Sequence, residues 1–550
     1  MHTGIIIRLD MKTFLTYIAL ITITVCSFAN THISVIQPLD GERWWGGIMS
    51  DGYLQPYEDL KEFDLSKESR QCATAPFLVS DKGRYVWSEK PFRFSFSDGV
   101  LTIKSEYEKV LPVQAGKTLK EAYLEASTRH FPFKGQTPPE EMFTKPQFNN
   151  WIEVAVFGVT QQVSEEYIDA IAHNGFPCGV LMLDGGWMIQ HGSMKFNPET
   201  FPDPERLFEK IRSYGYKGML WTSNFISPDN RREYLDYRLS WPRKKPLLLE
   251  SNEYPGEECI VHWWSGKSVT FDFTNPEALK EFADNLDKFR KEYGFDGFKF
   301  DGGDPEFFRG KAKFHDPDAR ECDFSHAYNQ LGLHFPFHEF RIGYKTGGMP
   351  MIIRLQDIPH TWKGLEKVLY NTQTAGLMGC PYIIGDMIGG GLNSSYSPGK
   401  PFSHKLFIRS CQIQALMPMM QFSAAPWRVL TSEECDICRR FAQLHSDFGE
   451  YIMEQVRHAA ETGEPIVRTM EYEFPGQGFN RRMPQYMFGP DYLVAPVINE
   501  DDSIRIELPA GDWLDDLGET HHGPKVIELK EVPLDRLPYF RRQSTNPDIQ

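Results

Sequence analysis

Apolar residues keep two different rhythms along this chain. From about residue 31 to 140 they alternate with polar ones, the period of half-buried strands. FRFSF and VLTIKS do so on either side of Ser97-Asp98-Gly99, and an Asp-Gly pair between such runs predicts a hairpin. Residues 30–140 are therefore expected to form an N-terminal β-sandwich. The Pro-rich stretch FPFKGQTPPEEMFTKPQ that follows suits a join between domains.

From about 150 the pattern changes to short continuous apolar runs: IEVAVFG, GVLMLD, GMLWT, SVTFDF, GFKFD, PMIIRLQD, CPYIIGD and ALMPMM. Helical patterns separate them. PEALKEFADNLDKFRKEYG is apolar at i, i+3 and i+4 and opens at Pro276 behind Thr274-Asn275, a helix-start signal. Continuous runs fit parallel strands covered on both faces. Eight repeats of strand then helix predict an α/β fold, a (β/α)8 TIM barrel over residues 141–451. No glycine fingerprint for a dinucleotide follows any run, so an open doubly wound sheet is disfavoured and no cofactor is expected. Beyond 452, YMFGPDYLVAPVI, IRIELPAGDW and KVIELKEVPLDRLPYF read as short strands, and a small C-terminal β-sandwich is expected over 452–550.

Length and charge narrow the function. A chain of 550 residues calls for more than one core. The net charge of −16, without a dense Lys/Arg run, argues against nucleic acid as a partner. After Met11-Lys12 comes FLTYIALITITVCSF, too short for a comfortable membrane span and followed by Ala29-Asn30. This reads as a secretory signal over residues 1–29, and the mature chain is expected to carry no membrane span and to be secreted or periplasmic. Cys26 raises lipoprotein anchoring as a minor alternative, because Val25 stands where a small residue is expected. Cys435 and Cys438 lack a second pair or a His cluster, and two packed thiols on a helix are expected there, not a metal site.

In a barrel of this kind, the chemistry sits at the C-terminal ends of the strands. Four of the runs end in an acid: Asp184 after GVLML, Asp301 after GFKF, Asp357 after MIIRLQ and Asp386 after PYIIG. Four carboxylates on one rim repel one another and are costly to desolvate unless function or cations compensate. Arg341 and Arg354 are the candidate cations. A divalent metal site usually brings His or closely spaced oxygen ligands, and none gathers at these ends. Glycoside hydrolysis needs only two carboxyl groups flanking the bond, one ionised and one protonated.

The segment FDGFKFDGGD resembles the nucleophile strand of glycoside hydrolase family 31, the retaining α-glycosidases. Asp301 matches the nucleophile. The family's acid/base Asp lies 16 residues after an Arg and 29 before the Asp of a D-I-G-G motif, and Arg341, Asp357 and Asp386 of DMIGGG keep those separations (357−341 = 16; 386−357 = 29). TGEPIVRTMEYEFP, QYMFGPDYLVAPVI, LPAGDW and PLDRLPYF extend the likeness, which spans roughly residues 145 to 542. It implies that Asp301 attacks the anomeric carbon while Asp357 serves as acid/base, with their carboxyl groups about 5–5.5 Å apart. Lys299, two residues before Asp301 on one side of the strand, is expected to keep it ionised, and Asp357 is expected to be desolvated. The likeness further implies that Asp184, Arg341 and Asp386 hold sugar hydroxyls, with Trp187, Trp221 and Trp362 as walls.

Two departures bear on the substrate. The family's Asp-x-x-Tyr-Met motif reads Asp184-Gly-Gly-Trp187-Met188 here, and Gly385 stands where a His often precedes the late Asp. With RIGYKTGGMPMIIRLQD, these point to the branch whose implied activity is on α-galactosides, and an exo-acting α-galactosidase is expected. An α-glucosidase or α-xylosidase is the alternative, and a transglycosylase or a non-catalytic carbohydrate-binding protein is a further one. The expected partner is an oligosaccharide or glycoside; the sequence leaves the oligomeric state open.

Overall fold

The computed structural model describes residues 31–227 and 247–543. The signal-peptide reading and Cys26 lie outside the described residues. No described helix is long and apolar enough to cross a membrane.

The N-terminal strands form two four-stranded antiparallel sheets. One runs His32–Ile36, Val100–Ser105, Arg93–Ser97, Leu60–Asp64; the other runs Trp44–Ile48, Thr74–Ser80, Arg84–Trp87, Val113–Gln114. The hairpin lies where the alternation places it. Ser97 pairs with Val100, and the two residues between, Asp98 (φ 49°) and Gly99 (φ 75°), take the left-handed conformations of a tight primed turn. Trp44, Leu78 and Val86 of one sheet meet Phe63, Phe94 and Leu101 of the other in a buried cluster, which makes the pair a sandwich. The opposite face, through Phe77, Val79 and Tyr85, joins the main core shared with the barrel.

Eight parallel strands make the barrel: β1 (Gln147–Asn149), β2 (Val180–Leu183), β3 (Lys217–Ser223), β4 (Gly297–Asp301), β5 (Phe337–Phe340), β6 (Ile353–Arg354), β7 (Ile383–Ile384) and β8 (Gln421–Phe422). Each neighbours the next, β8 returns to pair with β1, and an isolated bridge between Ile384 and Met419 closes the ring. The helix Pro276–Tyr293 begins where expected: Asn275 caps it, Pro276 opens it and Gly294 (φ 70°) ends it.

The runs and the strands do not coincide everywhere. IEVAVFG forms the body of a helix, Trp151–Phe157, because the Asn149 side chain accepts the Trp151 N–H at 2.9 Å and turns the chain just after β1. SVTFDF contributes a strand, Gly266–Thr270, to an accessory antiparallel sheet with Phe225–Ile226 and Val261–Trp263. ALMPMM closes the helix His404–Ala415 and leads into β8. The strands in their place, β1 (QFN), β5 (FHEF) and β8 (QF), carry polar residues that meet inside: Gln147, Glu339 and Gln421 are fully buried, and Gln421 Nε2 lies 3.2 Å from Gln147 Oε1 and 2.8 Å from Glu339 Oε2. The C-terminal strands form a six-stranded antiparallel sheet, packed around Trp513, Met487, Leu493 and Phe540. Cys435 and Cys438 are buried free thiols on the helix Ser432–Asp447.

Candidate active site

Parallel register brings side chains from neighbouring strands to one height. Trp221 on β3 pairs with Lys299 on β4, and Lys299 with Glu339 on β5. Asp184 follows Leu183, the last residue of β2 in register with β3. The result is a charged layer across four strands. Lys299 Nζ lies 2.7 Å from Asp184 Oδ2, with both side chains buried. Burial pushes the Lys299 ammonium down, but Asp184, Glu339 and Asp301 together outweigh it and the pKa lies above the ordinary lysine value.

Asp301 stands two residues further along β4. Its Oδ2 accepts the Trp221 indole N–H at 3.0 Å, its Oδ1 accepts the Gly302 N–H at 3.1 Å, and Arg341 Nη1 is 3.5 Å from Oδ1. Burial alone would raise this carboxyl. Arg341, then Lys299, Arg354 and the indole hydrogen bond outweigh it, and its pKa lies below the usual carboxylate range. Gly302 and Gly303 have φ of 77° and 79°, and a Cβ on Gly302 would come within 2.5 Å of Asn224 Oδ1. The two glycines let the chain fold back at once and bring Asp304 beneath Arg341, whose Nη2 is 3.3 Å from Asp304 Oδ1. Asp304 is buried with Oδ2 unpartnered, and desolvation, only partly offset by Arg341, pushes its pKa up to about 7.

Arg354 on β6 organises the other half. Its Nε lies 3.0 Å from Glu339 Oε1, and its Nη1 lies 2.8 Å from Asp357 Oδ1 and 3.2 Å from Asp386 Oδ1. Asp386, with φ 68°, is fully buried; its Oδ2 accepts the N–H groups of Ile358 and Gly391 at 2.7 and 2.8 Å. Burial raises its pKa, against Arg354 and with help from Asp357. Asp357 itself reaches outward, its side chain 37% exposed.

The cluster therefore unites Asp184, Trp221, Lys299, Asp301, Arg341, Arg354, Asp357 and Asp386. Several roles differ from expectation. Trp187 is not a wall: it is fully buried, stacked on Phe289 at 5.3 Å, and its indole donates to the Trp221 carbonyl at 2.9 Å. Trp362 is half-buried in the first turn of the helix after β6. Lys299 pairs directly with Asp184 and reaches Asp301 only through its field. Asp386 spends its oxygens on Arg354, on Ile358 beside Asp357 and on Gly391, and the burial expected of Asp357 falls on Asp304 and Asp386. Gly385 leaves no hole facing the mouth, since a Cβ there would meet Val368 Cγ1 at 3.1 Å and Met417 Sδ at 3.5 Å.

Sequence reasoning missed three contributors. Glu339 sits fully buried on β5, bound to Arg354 and to Gln421 Nε2 at 2.8 Å. Trp264, on the accessory sheet, lies under the Arg341 guanidinium at 4.7 Å and is 49% exposed. The N-terminal sandwich also arrives here: Glu306, just past Asp304, accepts the N–H groups of Ser69 and Arg70 at 2.7 and 3.0 Å. The lone acid inside FHEF was the readable signal for Glu339.

A closed parallel barrel whose strand ends hold several carboxylates around two arginines and a lysine defines a carbohydrate-hydrolase type of scaffold. The model of the glycosyl hydrolases family 31 TIM-barrel domain matches residues 151–455, and that of the family's C-terminal domain matches residues 463–545. The chain belongs to glycosyl hydrolase family 31. It is 28% identical over 426 residues to the myogenesis-regulating glycosidase of Mus musculus, covering 75% of this chain and 58% of that protein. It is 26% identical over 517 residues to the α-xylosidase XylQ of Lactiplantibacillus pentosus, covering 86% and 63%. The chain thus spans less than two thirds of either relative. In fold it matches a family 31 α-xylosidase from a soil metagenome complexed with xylose (TM-score 0.77, 20% identity, 94% of this chain and 79% of the other). It likewise matches the cycloalternan-degrading enzyme of Trueperella pyogenes in complex with a covalent intermediate (TM-score 0.75, 18% identity, 94% and 79%).

Proposed function

We propose that this protein is an exo-acting retaining α-glycoside hydrolase in which Asp301 is the nucleophile and Asp357 the acid/base. The observation that carries the reading is the contrast between the two groups. Asp301 is buried yet held ionised by Arg341, Lys299, Arg354 and the Trp221 N–H, ready to attack an anomeric carbon. Asp357 projects from the β6 loop into the mouth, tied at one oxygen to Arg354 with the rest of its side chain partly open. A sugar seated in the mouth would bring its leaving oxygen against that carboxyl, the proton donor in this reading. Asp357 then takes a proton from water as the glycosyl–Asp301 ester is opened.

The proposed substrate is an α-galactoside, on the strength of the RIGYKTGGMPMIIRLQD and DMIGGG segments and the likeness to the myogenesis-regulating glycosidase. A second reading, α-xyloside or α-glucoside, draws on the match to XylQ over 86% of this chain and fits about equally. Export through the N-terminal apolar run is part of the proposal. Hydrolysis of aryl α-galactoside, α-xyloside and α-glucoside side by side decides the sugar, and a clear preference for either of the latter overturns the galactoside assignment. The anomer of the first product, followed by NMR, tests the mechanism: α-product from α-substrate is expected, and β-product overturns it.

A further inference from the structure

An acid/base must carry a proton when the substrate arrives. Asp357, proposed for that role, has its Oδ1 only 2.8 Å from Arg354 Nη1, and a cation so close favours the ionised carboxylate. The described charged groups that act on Asp357 are Arg354 of β6, Asp386 from the loop after β7 and Arg341 from the loop after β5. Arg341 is already engaged by Asp301 and Asp304. Asp386 adds negative charge at the same Nη1, which it meets at 3.2 Å. The state of Asp357 therefore turns on how much of the Arg354 charge is left for it.

The inner edge of the same guanidinium faces Glu339, which is fully buried on β5. Glu339 Oε1 lies 3.0 Å from Arg354 Nε, and neither atom has another partner among the described residues. Glu339 Oε2 accepts Gln421 Nε2 at 2.8 Å, and that nitrogen also lies 3.2 Å from Gln147 Oε1. Both oxygens of Glu339 thus face donors, the arrangement that suits a carboxylate, which can only accept. Lys299, in register with Glu339 on β4, is the other cation of this layer, but it is tied to Asp184 at 2.7 Å. The charge of Glu339 accordingly falls on Arg354, away from water that would screen it. We propose that Glu339 is the positioning residue of the acid/base: it holds the Arg354 guanidinium by the inner edge and offsets its charge, so that Asp357, at the outer edge, keeps a proton beside an arginine. This inference rests on the assignment of Asp357 as acid/base.

The test is the pH profile of kcat/KM on the phenyl α-glycoside of whichever sugar the wild type turns over, because its basic limb reports the acid that must be protonated in the free enzyme. Glu339→Gln keeps the shape of the side chain and deletes its charge, which leaves Arg354 freer to ionise Asp357. The basic limb is expected about one unit lower than in the wild type, with kcat/KM within about threefold of wild type on the acidic side and about tenfold below it on the basic side. Glu339→Asp keeps the charge, and its limb should return to within a few tenths of a unit of the wild-type position. Should the amide variant not fold, Glu339→Met, equally uncharged, is expected to show the same displacement. An unmoved or raised limb in a folded uncharged variant overturns the inference, even where the thermal midpoint has dropped, since a merely structural residue would give that result. A full-unit displacement in Glu339→Asp overturns it as well. Asp357→Ala tells the two failures apart. It should erase the basic limb, and a limb that survives there withdraws Asp357 from the acid/base role. A limb erased there but unmoved in the uncharged Glu339 variants overturns the role of Glu339 alone.

Discussion

The indole N–H of Trp221 on β3 donates to Asp301 Oδ2 on β4 at 3.0 Å, across two strands whose register pairs Ser223 with Asp301. This bond favours the ionised carboxylate. Trp221→Phe keeps an aromatic surface and deletes the donor, and a hydrogen bond to a charged group contributes about 1.5–3 kcal/mol. We expect kcat/KM to fall by roughly ten- to a hundredfold. Loss of the bond raises the Asp301 pKa, so the acidic limb of the kcat/KM profile should move to higher pH. An unmoved limb would place the indole in packing alone.

If Asp301 is the nucleophile as proposed, Asp301→Asn should reduce turnover by roughly 10⁴-fold or more on every substrate. Asp357→Ala should cost about 10²–10⁴-fold on glycosides with poor leaving groups and much less on nitrophenyl glycosides, which need little protonation. Steady-state rates on the two substrate types separate the roles. Equal losses on both would remove Asp357 from the acid/base position.

Arg354 is a cation bound to three acids, two of them, Glu339 and Asp386, fully buried. Arg354→Met leaves those charges uncompensated, and breaking a buried pair this way costs about 3–5 kcal/mol. A clear drop in the thermal midpoint is expected, larger above pH 7 than at pH 5, because Asp386 can retain its proton at the lower pH and relieve the repulsion.

Asp304 supplies a pH signature of its own. Folded, it keeps its proton up to about pH 7, whereas its ordinary value is 3.8. Between those limits the native state binds a proton that the unfolded chain has lost, so the contribution of Asp304 to stability falls as pH rises through the window. Asp304→Asn removes this dependence. The thermal midpoint of the wild type minus that of the variant is expected to decline from pH 4 to pH 7 and then level off; a flat difference would mean that Asp304 titrates normally.

The barrel was readable because five runs, GVLML, GMLWT, GFKFD, MIIRL and YIIG, are continuous and apolar, as strands covered on both faces must be. β1 and β5 were not, since QFN and FHEF turn Gln147 and Glu339 into a charged interior that hydrophobicity cannot find. The acids at strand ends were legible from position alone, and so were Arg341 and Arg354. Trp187 was misplaced because an aromatic next to a site looks the same in sequence whether it faces a ligand or Phe289. Trp264 and the Ser69–Arg70 segment were invisible, since only folding brings an accessory hairpin and a separate sandwich to the barrel mouth.

The strand pairings divide the barrel unequally. Five residue pairs join β3 to β4, but one joins β5 to β6, two join β6 to β7, and a single bridge links Ile384 to Met419. Asp301, the proposed nucleophile, thus rests on a stiff backbone ladder, while the loop bearing Asp357 hangs from the side chains of Arg354 and Asp386. That half is an ionic hinge in a hydrogen-bonded wall. Acid or concentrated guanidinium would slacken it first, and enzyme silenced by such treatment should recover on neutralisation or dilution before its far-ultraviolet signal has changed at all.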